Sequence, residues 1–300
     1  MAESSSARPQ FLVDTDWVST HLDDKDLRIF DCTILLTPTS EDPFKVETVQ
    51  TVWRKGHLPN AGFFDLRDEL SGPWRRSPLE FNLPSEEQFG QVMSQKGVNR
   101  SSIVVLYSAQ HPMWATRVWW MLRAFGHDKA VVMDGGWDKW IAEGRPISTE
   151  ACHYPPTKFE LSRRPTLFAD KVEVQKTLGT PESLLLNALS RKQHAGQGIH
   201  YGRPGRIPGS SCVPISALVQ RDLPTFQPIE VIRAAFDEVG TRYNQRVITY
   251  CGSGIAASCS AFALSMLGQE NVAVYDGSLI EWSNDPSLPM ENESDRSPKR

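Results

Sequence analysis

The chain has 300 residues, 40% of them hydrophobic and 23% charged, and a formal net charge of −4. That length and apolar content suffice for about two domains with buried cores. A near-neutral balance with no lysine or arginine block excludes the usual nucleic-acid footprint, and no run approaches the roughly 18 apolar residues of a membrane span.

The opening "MAESSSARPQ" lacks the apolar centre of a secretion signal and holds one arginine beside an acidic residue. The expected compartment is therefore the cytoplasm, with mitochondrial import left open. Downstream, "DLRIFDCTI" reads as a strand and "PSEEQFGQVMSQKG" as a helix capped by Ser85, with glutamates in its first turn. "SIVVLYS" reads as a strand, "MWATRVWWMLRAFG" as an apolar helix, "KAVVMDGG" as a strand and "WDKWIAEG" as a short helix ending at Gly144. The segment from Arg145 to Phe168 is rich in proline and charge and has no helical period, so it reads as a linker draped over a domain surface.

The pattern then returns. "FGHDKAVVMDGGWDKW" parallels "LGQENVAVYDGSLIEW", aligning Gly126 with Gly268, Asp134 with Asp276, Gly135 with Gly277 and Trp140 with Trp282. "SIVVLYS" parallels "QRVITYC", and "GHLPNAGFFDL" at Gly56 parallels "GRIPGSSCVPI" at Gly205. Three blocks in one order, half a chain apart, mean two copies of a domain rather than a solenoid. Alternating strands and helices with near-continuous apolar strands predict an α/β fold, each copy a mostly parallel sheet with helices on both faces. The expected units are residues 9–145, a linker at 146–168, a second domain at 169–288 and a disordered tail at 289–300.

Five cysteines, Cys32, Cys152, Cys212, Cys251 and Cys259, are too few and odd in number for a disulfide framework. None has zinc-ligand spacing, so no structural metal is expected, and no organic cofactor is implied. Four read as structural, and Cys251 stands apart. It falls where the strand "RVITY" ends and a helix begins at Ala256, in a loop with Gly252, Ser253 and Gly254. Ligands of open α/β sheets bind outside such strand ends. Backbone N–H groups of Gly252, Ser253, Gly254, Ile255 and Ala256 are expected to form a nest, with both glycines supplying left-handed turns. A helix start favours thiolate over thiol and provides donors for a second sulfur. A cysteine phosphatase needs arginine six residues after the nucleophile; Ala257 stands there, leaving sulfur transfer as the better fit.

The motifs "GHLPNAGFFD", "RVWWMLRAFGHDKAVVMDGGWDKWIAEGRP", "YCGSGIAAS" and "VYDGSLIEW" resemble the two-domain sulfurtransferases of the rhodanese superfamily, from Phe11 to about Trp282. The resemblance implies tandem rhodanese-like domains, an inactive first copy with Ser108 in place of Cys251, and ping-pong transfer through a cysteine persulfide. It implies a small-molecule sulfur donor and a thiol, cyanide or protein acceptor. The Gly-Ser-Gly loop is similar to mercaptopyruvate enzymes, making 3-mercaptopyruvate the expected donor and thiosulfate the alternative. A protein-fed sulfur carrier is the reading from another class. By the same resemblance Ser253 and Asp65 serve as catalytic partners of Cys251, and Met113 and Trp114 wall the cleft. Two positions depart from the family: Phe81 stands for a histidine and Leu189 for a carboxylate-binding arginine. Arg203 and Arg206 are the expected replacements for that charge.

Overall fold

The computed structural model describes residues 11–37, 46–47, 49–73 and 81–293. In the first half β1 (Leu12–Val13), α1 (Thr15–Thr20) and β2 (Leu27–Asp31) precede a small antiparallel pair, β3 (Leu35–Leu36) and β4 (Val46–Glu47). Then follow α2 (Val49–Trp53), β5 (Ala61–Phe63), α3 (Glu86–Gln95), β6 (Ile103–Tyr107), α4 (Met113–Ala124), β7 (Ala130–Met133) and α5 (Gly136–Ala142). The second half runs β8 (Phe168–Ala169), α6 (Lys171–Thr177), β9 (Ser183–Asn187), α7 (Arg191–His194) and β10 (Ser211–Cys212). It ends with α8 (Ile229–Asp237), β11 (Arg246–Tyr250), α9 (Ile255–Met266), β12 (Val272–Tyr275) and α10 (Ser278–Trp282).

Each half builds a five-stranded, wholly parallel sheet, in the orders β1-β7-β6-β2-β5 and β8-β12-β11-β9-β10. Taken in sequence within each half the two orders are the same, the structural signature of the duplication. Alternate residues of every long strand serve opposite cores. Val104 and Leu106 face a central cluster while Val105 and Tyr107 face an outer one; Val247 points inward and Ile248 and Tyr250 outward. That two-sided burial is why these strands read as unbroken apolar runs. The α3 helix begins at Ser85, whose Oγ accepts from Gln88 N at 3.1 Å.

The central cluster is continuous across both halves. It holds Phe89, Trp119 and Trp120 from the first and Val213, Ile255 and Phe262 from the second. Helices α4 and α9 pack face to face in its middle. The proline-rich segment lies over the first domain: Tyr154 Oη accepts from Ile29 N at 3.0 Å, Ser162 N donates to Phe125 O at 3.0 Å, and Phe159 is buried.

The segment expected as a disordered tail is different over its described part. Trp282 Nε1 donates to Pro289 O at 2.8 Å, and Glu291 exchanges backbone hydrogen bonds with Arg206. The first domain repeats both features, with Trp140 Nε1 on Pro146 O and Ser148 bridged to His57. Residues 289–293 therefore close the second domain as a strap; 294–300, like 1–10, lie outside the described residues. Among the described residues no helix is long and apolar enough to cross a membrane.

Candidate active site

Central strand β11, flanked by β9 and β12, delivers Cys251 to the carboxyl edge of the second sheet. Three hydrogen bonds fix the peptide there. Cys251 N donates to Ser278 Oγ at 3.1 Å, Leu279 N donates to Cys251 O at 3.0 Å, and Ile280 N donates to Gly252 O at 2.9 Å. The start of α10 is thus latched to the loop, with Ser278 held at φ 45°. In the first domain Trp137 N makes the matching bond to Ser108 O, but a serine stands in the place of the cysteine and its Oγ donates to His111 O.

The two loop glycines serve different ends. Gly254 caps α9 at φ 81°, where a side chain is strained and a Cβ would come within 3.0 Å of Asp276 O. Gly252 does not take the expected left-handed turn. A methyl at Gly252 would overlap the ring of Tyr201, so this glycine is required by close approach. The first-turn N–H groups of α9, at Ile255 and Ala256, have no partner within the helix and lie at its positive end, beside a Cys251 that is 2% exposed. Burial pushes the other thiols up: Cys212 to about 11, Cys259 to about 12, and Cys32 and half-buried Cys152 in the same direction.

The first domain reaches the loop through Arg117, a residue of α4 that is 1% exposed. Its Nη2 binds Asp276 Oδ1 at 2.5 Å and Phe81 O at 2.7 Å, while Asp276 Oδ2 accepts from Leu83 N at 2.7 Å. Its Nη1 is buried without a partner, 3.2 Å from where a Cβ on Gly254 would stand.

Of the residues singled out in the sequence, Ser253 is half-buried on the loop. Asp65 is buried and holds a turn, its Oδ1 accepting from Arg67 N and Asp68 N at 3.0 Å each. Desolvation raises its carboxyl, and the two turn N–H groups partly offset that. No hydrogen bond joins it to Ser253 among the described residues. Trp114, 3% exposed, sets its ring 5.6 Å from that of Phe81 at a 60° tilt within the interdomain core, and Met113 packs on the same core. Buried Trp114 backs the site from inside, while Met113 keeps a partly exposed side chain.

The arginines expected to replace the missing charge are occupied. Arg203 caps the end of α10 and the turn after it, donating to Ser283 O, Asp285 O and Leu288 O at 2.6–2.9 Å. Arg206 is buried, giving Nη2 to Glu291 Oε1 at 2.7 Å and Nη1 to His194 O at 3.1 Å. Buried His57 holds the first domain's strap in the same way, between Trp53 O and Glu150 O. The repeat had aligned Gly56 with Gly205, and so His57 with Arg206; that alignment was the available signal for a strap-holding role. Tyr201, Arg117 and Ser278 went unread, because in the sequence each is one polar residue in a loop or on an apolar helix.

The rhodanese-like domain family matches residues 14–143 and 171–285, which hold four of the five strands of each sheet. The chain belongs to the rhodanese family. This rhodanese-family chain is 30% identical to the mitochondrial thiosulfate/3-mercaptopyruvate sulfurtransferase 1 of Arabidopsis thaliana, over 96% of this chain and 80% of that one. It is equally similar, at 30%, to the sulfur carrier protein TtuD of Thermus thermophilus, over 95% and 97% of the two chains. The crystal structure of the 3-mercaptopyruvate sulfotransferase SseA from Escherichia coli superposes with a TM-score of 0.77 at 28% identity, covering 89% and 98%. The chain is thus a two-domain rhodanese-like sulfurtransferase; two of these names give 3-mercaptopyruvate, one of them with thiosulfate beside it, and the third names a sulfur carrier.

Proposed function

We propose that this sulfurtransferase moves the thiol sulfur of 3-mercaptopyruvate, as the sulfane sulfur of a Cys251 persulfide, to a thiol, cyanide or protein acceptor. One observation carries the reading: Cys251 ends the central strand at the start of a twelve-residue helix, on a loop latched by Ser278 and Leu279. The Cys251 thiolate attacks the donor sulfur, forming an S–S bond as the donor's C–S bond breaks. The electron pair leaves on the pyruvate enolate, which takes a proton through Ser253 while the new persulfide loses one. An acceptor thiolate then attacks the outer sulfur and Cys251 departs as thiolate. Loop N–H groups and the α9 dipole hold the anion at each stage; Asp65 shapes the first-domain turn and stays out of the proton path.

A singly charged donor suits this loop better than dianionic thiosulfate. Gly252, Ser253 and Gly254 carry no charge, and the guanidinium groups of Arg203 and Arg206 are spent on carbonyls and Glu291. A second buried charge without a partner is costly. The same shortage of free cations favours one other reading, a carrier loaded by a protein partner, as the name of the Thermus relative suggests. The compartment we propose is the cytoplasm.

Single-turnover loading of reduced protein, read as a gain of one sulfur atom by intact mass, tests both. Faster loading from 3-mercaptopyruvate than from thiosulfate, abolished in Cys251→Ser, is the expected result. Faster loading from thiosulfate rejects the donor assignment. Loading by neither small molecule rejects the enzyme reading in favour of the carrier.

A further inference from the structure

The Tyr201 ring lies on Gly252 where a side chain at that position would stand. Gly252 directly follows the nucleophile, so the ring roofs the loop on which sulfur is carried. The rest of Tyr201 packs on the outer core of the second domain, which holds Tyr250, Leu279 and Trp282. Burial first, and the Cys251 charge second, push its phenol well above its ordinary range, which places ring and sulfur in one desolvated neighbourhood.

The backbone around this ring is pinned. Gln193 Nε2 donates to Ile199 O at 3.3 Å, Asn284 Nδ2 donates to Tyr201 O at 2.7 Å, and Arg203 is held by carbonyls of α10 and the turn that follows. With its main chain fixed, the ring can leave Gly252 only by rotating about its own side-chain bonds, a motion fast compared with loop opening.

Resting on the sulfur-transfer reading above, we infer that Tyr201 is the specificity-determining gate of Cys251, admitting singly charged thiol donors and excluding dianions. The closed ring covers the loop beside Cys251, and the rotated ring uncovers it. An arginine in the place of Tyr201 would meet a second negative charge, whereas a phenol leaves that charge desolvated and unpaired. The residue that departs from the family at Leu189 and the aromatic roof at Tyr201 thus act in the same direction.

Alkylation by iodoacetamide, followed cysteine by cysteine by peptide mass, tests the gate without any sulfur transfer. Tyr201→Ala removes the ring and Gly252→Ala displaces it. If the accessible state is about a tenth of the population or less, each variant labels Cys251 at least about tenfold faster than wild type. Tyr201→Phe keeps the roof and stays within about twofold of wild type. Fully buried Cys259 remains unlabelled in a folded variant; if Tyr201→Ala labels it, Gly252→Ala carries the test. Equal Cys251 labelling in wild type and the folded ring-displaced variants overturns the gate. Selectivity is read separately in Tyr201→Arg, where the ratio of thiosulfate to mercaptopyruvate loading rises about tenfold; an unchanged ratio overturns the selectivity. If Cys251 takes sulfur from neither donor, the functional reading fails while the alkylation result still decides the gate.

Discussion

Asp31 and Asn187 close the same turn in the two domains. Asp31 ends β2, and its Oδ1 accepts from Thr33 N at 2.9 Å and Thr33 Oγ1 at 2.5 Å. Asn187 ends β9, and its Oδ1 accepts from Leu189 N at 2.9 Å. The carboxylate has the harder position: desolvation raises its pKa to about 6, only partly offset by Thr33. A folded value above the unfolded one means that the charge costs stability once pH rises through 6, and that the cost is gone below the unfolded value near 3.8. At full effect it amounts to about 3 kcal/mol. Asp31→Asn, the solution already used at position 187, is expected to raise the melting midpoint by several degrees at pH 8 and to converge with wild type by pH 4. Midpoints of variant and wild type across that range check it, and a pH-independent difference contradicts it.

At the level of elements, α4 and α9 carry the duplication and its asymmetry. Each domain's last strand is followed by an aspartate that accepts a backbone N–H from the other domain. Asp134 takes Phe226 N at 2.8 Å and Asp276 takes Leu83 N at 2.7 Å. Asp276 also binds Arg117, which reaches it from α4 of the first domain. Both helices were legible as apolar runs, and the strand ends were legible from the repeat. The reach of Arg117 was not, since nothing local marks one cation on an apolar helix as an interdomain ligand. Arg117→Met leaves the half-buried Asp276 with the Leu83 N–H and is expected to cost about 1–3 kcal/mol, seen as a lower urea midpoint with the slope unchanged. A midpoint within experimental error of wild type would mean that the pair contributes nothing net.

Across the whole molecule, the continuous central core makes the two sheets one folding unit. From Ile255 to Leu264 every residue of α9 is buried, so the helix has no face left for water and depends on α4 for cover. Unfolding is expected as one transition, with calorimetric and van't Hoff enthalpies equal. Two resolved transitions would show that the domains are separately stable. The residues 151–300 expressed alone should bind a hydrophobic dye through the uncovered α9 surface.

The chain's own pattern determined the duplication, the two parallel sheets and the position of Cys251, because strand and helix periodicity and the strand–loop–helix spacing are local properties. Tertiary structure alone decided the rest. Arg203 and Arg206 read as free cations until carbonyls of α10 and the following turn, and the strap residue Glu291, were folded against them. Residues 289–293 read as tail until the strap mirrored that of the first domain. Tyr201 and Arg117 come from a loop 50 residues before Cys251 and a helix 134 residues before it. What brings them to the cysteine loop is close packing between elements, and packing leaves no periodic trace in the sequence.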